Sequence, residues 1–113
     1  MAITINIYYT GVEGAARAFA EEMTASGTVA AIRGEEGNLR YEYFVPLDDP
    51  ETVLLIDAWR DQAALDEHHA SPMMQAIADL RDKYDLHMRV ECYMGADGVN
   101  ADTPITDTQF IRR

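Results

Sequence analysis

Basic residues are scarce in this sequence. Nine lysines and arginines stand against 20 aspartates and glutamates, a formal net charge of −11. Such a chain repels phosphates, so neither nucleic acid nor an anionic membrane surface is an expected partner. Cysteine is nearly missing. Cys92 stands alone and cannot close an internal disulfide, which makes a reducing cytoplasm the expected compartment. No run approaches the roughly 18 apolar residues of a spanning helix. The opening MAITINIYYTG has no basic segment and apolar core of a secretory signal. The phosphate loop, the nucleophile elbow and the dinucleotide fingerprint are all missing. So is any internal repeat.

What is present suits one domain. The chain has 113 residues, 48% of them hydrophobic and 26% charged, ordinary values for a globular protein. Ile3, Ile5 and Ile7 alternate with Thr4, Asn6 and Tyr8, which predicts a strand with one apolar face. Val12, Ala16, Phe19 and Met23 then recur at helical spacing, and Gly27 stops that helix. TVAAIRGEEG reads as a second strand and GNLRYEYFVPLDDP as a third, with Glu36-Gly37-Asn38 a hairpin turn between them. ETVLLIDAWR is a fourth strand, apolar on both faces from Val53 to Ile56. Asp61 caps a helix over QAALDEHHA, and Ser71 before Pro72 starts another over PMMQAIADLRDKY. Met73, Ile77, Leu80 and Tyr84 form the apolar stripe of that second helix. LHMRVECYMG is a fifth strand, with Leu86, Met88, Val90, Cys92 and Met94 on one face and a solvated His87 on the other. Cys92 is expected to be buried and inert.

Strand, helix, three strands, helix pair and strand predict an α+β fold with the helices on one face of an antiparallel sheet. The other face would be an apolar patch, so a homodimer packed sheet to sheet is expected. Residues 1–95 form the domain. Residues 96–113 are a turn-rich C-terminal extension, able to pack on the dimer partner, in which ITDTQF could add a strand.

Two of the three histidines are adjacent, in WRDQAALDEHHASP. On a helix His68 lies one turn from Leu65 and Ala64 and faces inward, whereas His69 faces out beside Asp66. Two ligands on one helix need a spacing of three or four, so no metal site is expected. His68 is either a core histidine with one nitrogen satisfied or a pocket histidine acting as base or donor. Asp57 and Trp59 share a strand face, as do Tyr41 and Tyr43. A core tryptophan with its indole satisfied and plain aromatic packing are the simpler accounts of these pairs. Asn6 on its strand would ordinarily bond neighbouring backbone. The six methionines are scattered and read as core filler.

The stretch EEGNLRYEYFVPLDDPETVLLIDAWRDQAALDEHHASPMM resembles the antibiotic biosynthesis monooxygenase family. The pattern is Glu36-Gly37-Asn38, Tyr41, Asp49-Pro50, Trp59, Ala64-Leu65, His68 and Ser71-Pro72. The resemblance implies a ferredoxin-like monomer, a dimeric α+β barrel, and a pocket in each monomer between helices and sheet. It places His68 on the family's recurrent pocket histidine. Met73 and Met74 stand where many relatives carry a second histidine. The family's heme-degrading branch carries an Asn on strand one, met here by Asn6. It also carries a Trp and a His, where this chain has His68 and Ala78. The expected function is a cofactor-independent monooxygenase acting on a small phenol, quinol or polycyclic aromatic with dioxygen. His68 would be its catalytic base or donor, and Asn6, Tyr41, Tyr43 and Trp59 would bind the substrate. A cofactor-free isomerase of a small carbonyl compound and a non-enzymatic stress-related binding module are the alternatives.

Overall fold

The computed structural model describes residues 1–95. The 96–113 extension, with its expected ITDTQF strand, lies outside the described residues. The element order is β1 (Ile3–Thr10), α1 (Ala15–Ala25), α2 (Thr28–Arg33), β2 (Asn38–Phe44), β3 (Thr52–Trp59), α3 (Gln62–His69), α4 (Met73–Lys83) and β4 (His87–Met94). The strands form one antiparallel sheet in the order β2-β3-β1-β4. With the helices packed on one face, this is the ferredoxin-like arrangement that the resemblance implied.

Register fixes the two faces, because directly opposed residues point the same way. Ile3 opposes Trp59, Ile5 opposes Asp57, Ile7 opposes Leu55 and Tyr9 opposes Val53. Tyr41 opposes Asp57 and Tyr43 opposes Leu55. These residues face the helices, and the core forms where they meet Ala16, Phe19 and Met23 of α1, Val29 and Ile32 of α2, Leu65 of α3 and Ile77 of α4. The open face carries Thr4, Asn6 and Tyr8 beside Leu54 and Ile56, with Arg89, Glu91 and Tyr93 on the flanking strand. That face is mixed rather than apolar.

Several expectations are overturned. TVAAIRGEEG is not a strand, for Thr28–Arg33 is a helix. Its β-branched Thr28, Val29 and Ile32 suggest a strand, but Val29 and Ile32 are three apart and both buried, the helical spacing. Arg33 then ties α2 to β2, donating from Nε and Nη2 to the Tyr41 carbonyl at 2.9 and 2.7 Å. Glu36-Gly37-Asn38 is therefore a helix-to-strand turn, not a hairpin, and among the described residues the sheet has four strands.

Val12 is exposed and lies outside α1. Glu13 at φ 54 and Gly14 at φ 79 turn the chain before the helix begins. Ser71 does not cap α4 through its hydroxyl, which is buried without a partner. Cys92 is exposed, because β4 is an edge strand that the helices leave uncovered, and Met88, Val90 and Met94 are exposed with it. Asn6 does not satisfy itself on backbone, since its Oδ1 is buried and unpartnered. Among the described residues no helix is long and apolar enough to cross a membrane.

Candidate functional site

The site begins at the C-terminal end of β3. Trp59 is fully buried, and its indole N–H donates to Asp57 Oδ1 at 2.7 Å. Residues two apart on a strand share a face, so both stand on the helix side. The chain then turns at Asp61, whose carboxylate accepts from the Ala64 amide at 2.9 Å and starts α3 as a side-chain cap.

One helical turn from Ala64 and Leu65, His68 points inward with them, and it is only 3% exposed. His69 points to solvent, as the helix register predicted. Its expected partner Asp66 instead accepts from Gln62 Nε2. The His68 ring stacks on Trp59, with centroids 4.5 Å apart and planes 26° from parallel.

The partner of His68 is Glu35, which the sequence reading passed over. Nδ1 and Glu35 Oε2 are 2.7 Å apart. Glu35 sits just beyond α2, three residues after Ile32, so it continues the buried face of that helix; this spacing is the signal that could have found it. The turn that follows is fixed against α3. Gly37 has φ 87, and a Cβ there would stand 2.4 Å from the Ala64 Cβ. Its carbonyl accepts from the Arg60 amide at 2.7 Å. Glycine is thus required twice over, for its conformation and for the close approach, and the packing sets Glu35 beside His68.

A carboxylate on Nδ1 fixes the proton on that nitrogen and leaves the Nε2 lone pair for another partner. A proton taken at Nε2 makes an imidazolium held between a carboxylate and the face of an indole.

Asp57 is the second unusual group. It is 5% exposed. Burial pushes its carboxyl up to about 7, the charge of Glu35 adds to that, and the indole bond from Trp59 partly opposes it. Tyr41 and Tyr43 line the same face beyond it, with ring centroids 5.8 Å apart in an edge-on contact. Tyr43 also meets Phe19 of α1. Burial pushes both phenols well above their ordinary range, and burial pushes Tyr9 up to about 12. All three are therefore neutral O–H groups at physiological pH. The Tyr43 hydroxyl is buried and its oxygen lies beside the Tyr41 hydroxyl. A groove of about 420 Å³ between α1 and the β2–β3 edge is lined by Tyr43, Val53, Ala20 and Thr24. Tyr43 thus stands between this groove and the row Tyr41, Asp57, Trp59 and His68.

The structure therefore gathers His68, Trp59, Tyr41 and Tyr43 on the helix side of the sheet and adds Glu35 and Asp57. It does not bring Asn6 there. Asn6 opposes Ile56 and Glu91 on the other face. Among the described residues no three His, Cys, Asp or Glu side chains come together as a metal-ligand set.

Residues 2–80 match the antibiotic biosynthesis monooxygenase family. This chain belongs to that family. YcnE of Bacillus subtilis, named as a candidate monooxygenase, is 31% identical over 53 residues, or 47% of this chain and 56% of YcnE. The match thus spans little more than half the length of that relative. A Deinococcus radiodurans protein named as a candidate antibiotic biosynthesis monooxygenase has a similar structure, with TM-score 0.74 and 20% identity, over 88% of this chain and 97% of that one. SnoaB of Streptomyces nogalater, a cofactor-independent oxygenase, has TM-score 0.69 and 16% identity over 87% of this chain and 96% of that one. At these identities the two structures establish the shared fold. The family match extends through α3 and most of α4, so Glu35, Asp57, Trp59 and His68 all lie within it.

Proposed function

We propose that this protein is a cofactor-independent monooxygenase that oxidises a small phenol, quinol or polycyclic aromatic with dioxygen. The observation that carries the reading is the His68–Glu35 pair, in which His68 is buried and stacked on Trp59. It is a base whose Nδ1 is held by a carboxylate, which leaves Nε2 for the substrate. Membership of the antibiotic biosynthesis monooxygenase family supports it further, as does the fold shared with the cofactor-independent oxygenase SnoaB.

Nε2 of His68 removes the phenolic proton. The phenolate is electron-rich enough to give one electron to dioxygen, and the resulting superoxide and ring radical join as a carbon–oxygen bond. Loss of water from the peroxide leaves a quinone. The site needs to be dry for this, because water would solvate the phenolate and weaken its reducing power. Trp59, Tyr41 and Tyr43 supply the aromatic walls. The Tyr43 oxygen faces the Tyr41 hydroxyl, which leaves the Tyr43 O–H as a donor for a substrate oxygen. Access from the groove beside Tyr43 requires interior side chains to move. Met73 and Met74 are half-buried against the core, and methionine repacks readily. We assign Asn6 no part in this pocket, because it lies across the sheet. The same proposal carries the homodimer, sheet to sheet, and a cytoplasmic setting in keeping with the lone cysteine.

Oxygen uptake with a panel of phenols, quinols and naphthols tests the reading. Uptake equal to quinone formed, unchanged by a chelator and lowered by roughly 10²-fold in His68→Ala, is the expected result. Absence of uptake across the panel sinks it. So does activity that a chelator abolishes and added iron restores.

A further inference from the structure

Trp59 has acid–base groups on two sides. His68 stacks on its face, and Asp57 accepts its indole N–H at the edge through Oδ1. That bond occupies one Asp57 oxygen and leaves Oδ2 to carry a proton. The side chain stands near the C-terminal end of β3 on the helix face, in the interior that holds the Tyr41 and Tyr43 hydroxyls. An aspartate on a strand's buried face needs no such position for structure alone, since an amide would satisfy the indole equally.

We propose that Asp57 is the acid of this site, supplying a proton to the peroxide oxygen after His68 has removed the proton of the phenol. The inference rests on the oxygenase reading. In the balance, His68 takes the phenolic proton. Dioxygen is reduced as the ring carbon–oxygen bond forms, and the Asp57 carboxyl protonates the outer peroxide oxygen. The Asp57 carboxylate then removes the proton on the oxygenated carbon. Its electron pair forms the new carbonyl as the oxygen–oxygen bond breaks. The departing hydroxide takes the proton from the His68 imidazolium. Phenol and dioxygen have become quinone and water, and both side chains are back in their starting states.

The surroundings raise the share of Asp57 that is protonated near neutral pH. Tyr9 faces it from β1 and Tyr41 and Tyr43 from β2, and all three are neutral. Glu35 adds negative charge from the turn after α2. His68 of α3 lies across Trp59. Arg33 of α2 binds the Tyr41 carbonyl rather than Asp57, and Arg81 of α4 acts on Tyr9.

Trp59 is the chain's single tryptophan, so its fluorescence reports on both neighbours. The wild type should show a fluorescence transition near neutral pH. It should persist in His68→Gln, move to lower pH in Glu35→Gln, and vanish in Asp57→Asn, which keeps the acceptor for the indole. With a phenol that the wild type oxidises, Asp57→Asn should turn over roughly 10²-fold more slowly. It should also release hydrogen peroxide where the wild type releases water. A transition that persists in Asp57→Asn overturns the assignment. So does an Asp57→Asn enzyme that is as fast and as tightly coupled as the wild type. If the wild type oxidises no phenol, the oxygenase reading has failed and this inference falls with it. An active wild type with a fully active variant removes Asp57 alone.

Discussion

Asp57 makes the folded state sensitive to pH in a direction opposite to that of an ordinary carboxylate. In the unfolded chain it titrates near 3.8, and in the folded protein at about 7. Between these values the folded protein holds a proton that the unfolded chain has released. A group raised in this way contributes stability that is complete below the unfolded value and is lost as pH rises through the folded one. Each pH unit costs about 1.4 kcal/mol for one proton, so the interval of about three units removes about 4 kcal/mol. Asp57→Asn cannot ionise and still accepts the Trp59 indole bond. Its stability relative to the wild type should therefore rise by about 4 kcal/mol, and by no less than about 2, between about pH 4 and about pH 8. Urea denaturation of both proteins across that range measures the difference, and titrating groups that do not interact with Asp57 cancel. A flat difference would mean that Asp57 titrates alike in both states. A difference of opposite slope would mean that it is ionised and stabilised when folded. Either result refutes the reasoning.

Glu35→Gln should lower turnover by at least about 10-fold with any phenol the wild type oxidises, because the imidazolium loses its carboxylate; steady-state kinetics measure this. Gly37→Ala should cost at least about 2 kcal/mol in a denaturation experiment. It combines the left-handed conformation with a collision against Ala64, and each alone is typically worth about 1 kcal/mol or more. His69→Ala should stay within about 0.5 kcal/mol of the wild type in the same assay, since an exposed side chain with no ion pair among the described residues has little to lose.

Much of this was legible in the sequence, and the reason is periodicity. The strands β1, β2 and β3 each carry an alternating or apolar core pattern. The Asp61 cap and the inward turn of His68 follow from 3.6 residues per turn alone. Alternation also put Asp57 on the buried face with Trp59, and a carboxyl in that column is a raised one. What failed was short or set by an edge. TVAAIR spans less than two turns, so its β-branched residues outweighed the helical spacing of Val29 and Ile32. The apolar face of β4 suggested burial, but alternation says which residues share a face and not whether anything covers it. Cys92 is exposed for that reason.

Glu35 was the costly omission, and it follows from misreading α2. With TVAAIRGEEG as a strand, Glu35 belongs to a solvated hairpin and has no reason to meet α3. With Thr28–Arg33 as a helix, the same residue closes the buried face begun by Val29 and Ile32. The turn after it must then pass beneath α3. Gly37 permits that passage only because it has no side chain, and Ala64 only because its own is one carbon. These two small residues sit 27 positions apart in sequence, and their contact is what delivers the carboxylate to His68. The histidine is thus readable from its own helix, whereas its function as a base depends on a long-range packing contact between two residues that carry no chemistry. A larger residue at position 64 should separate Glu35 from His68 without touching either. Such a variant should lose turnover while His68 and Glu35 are both still present.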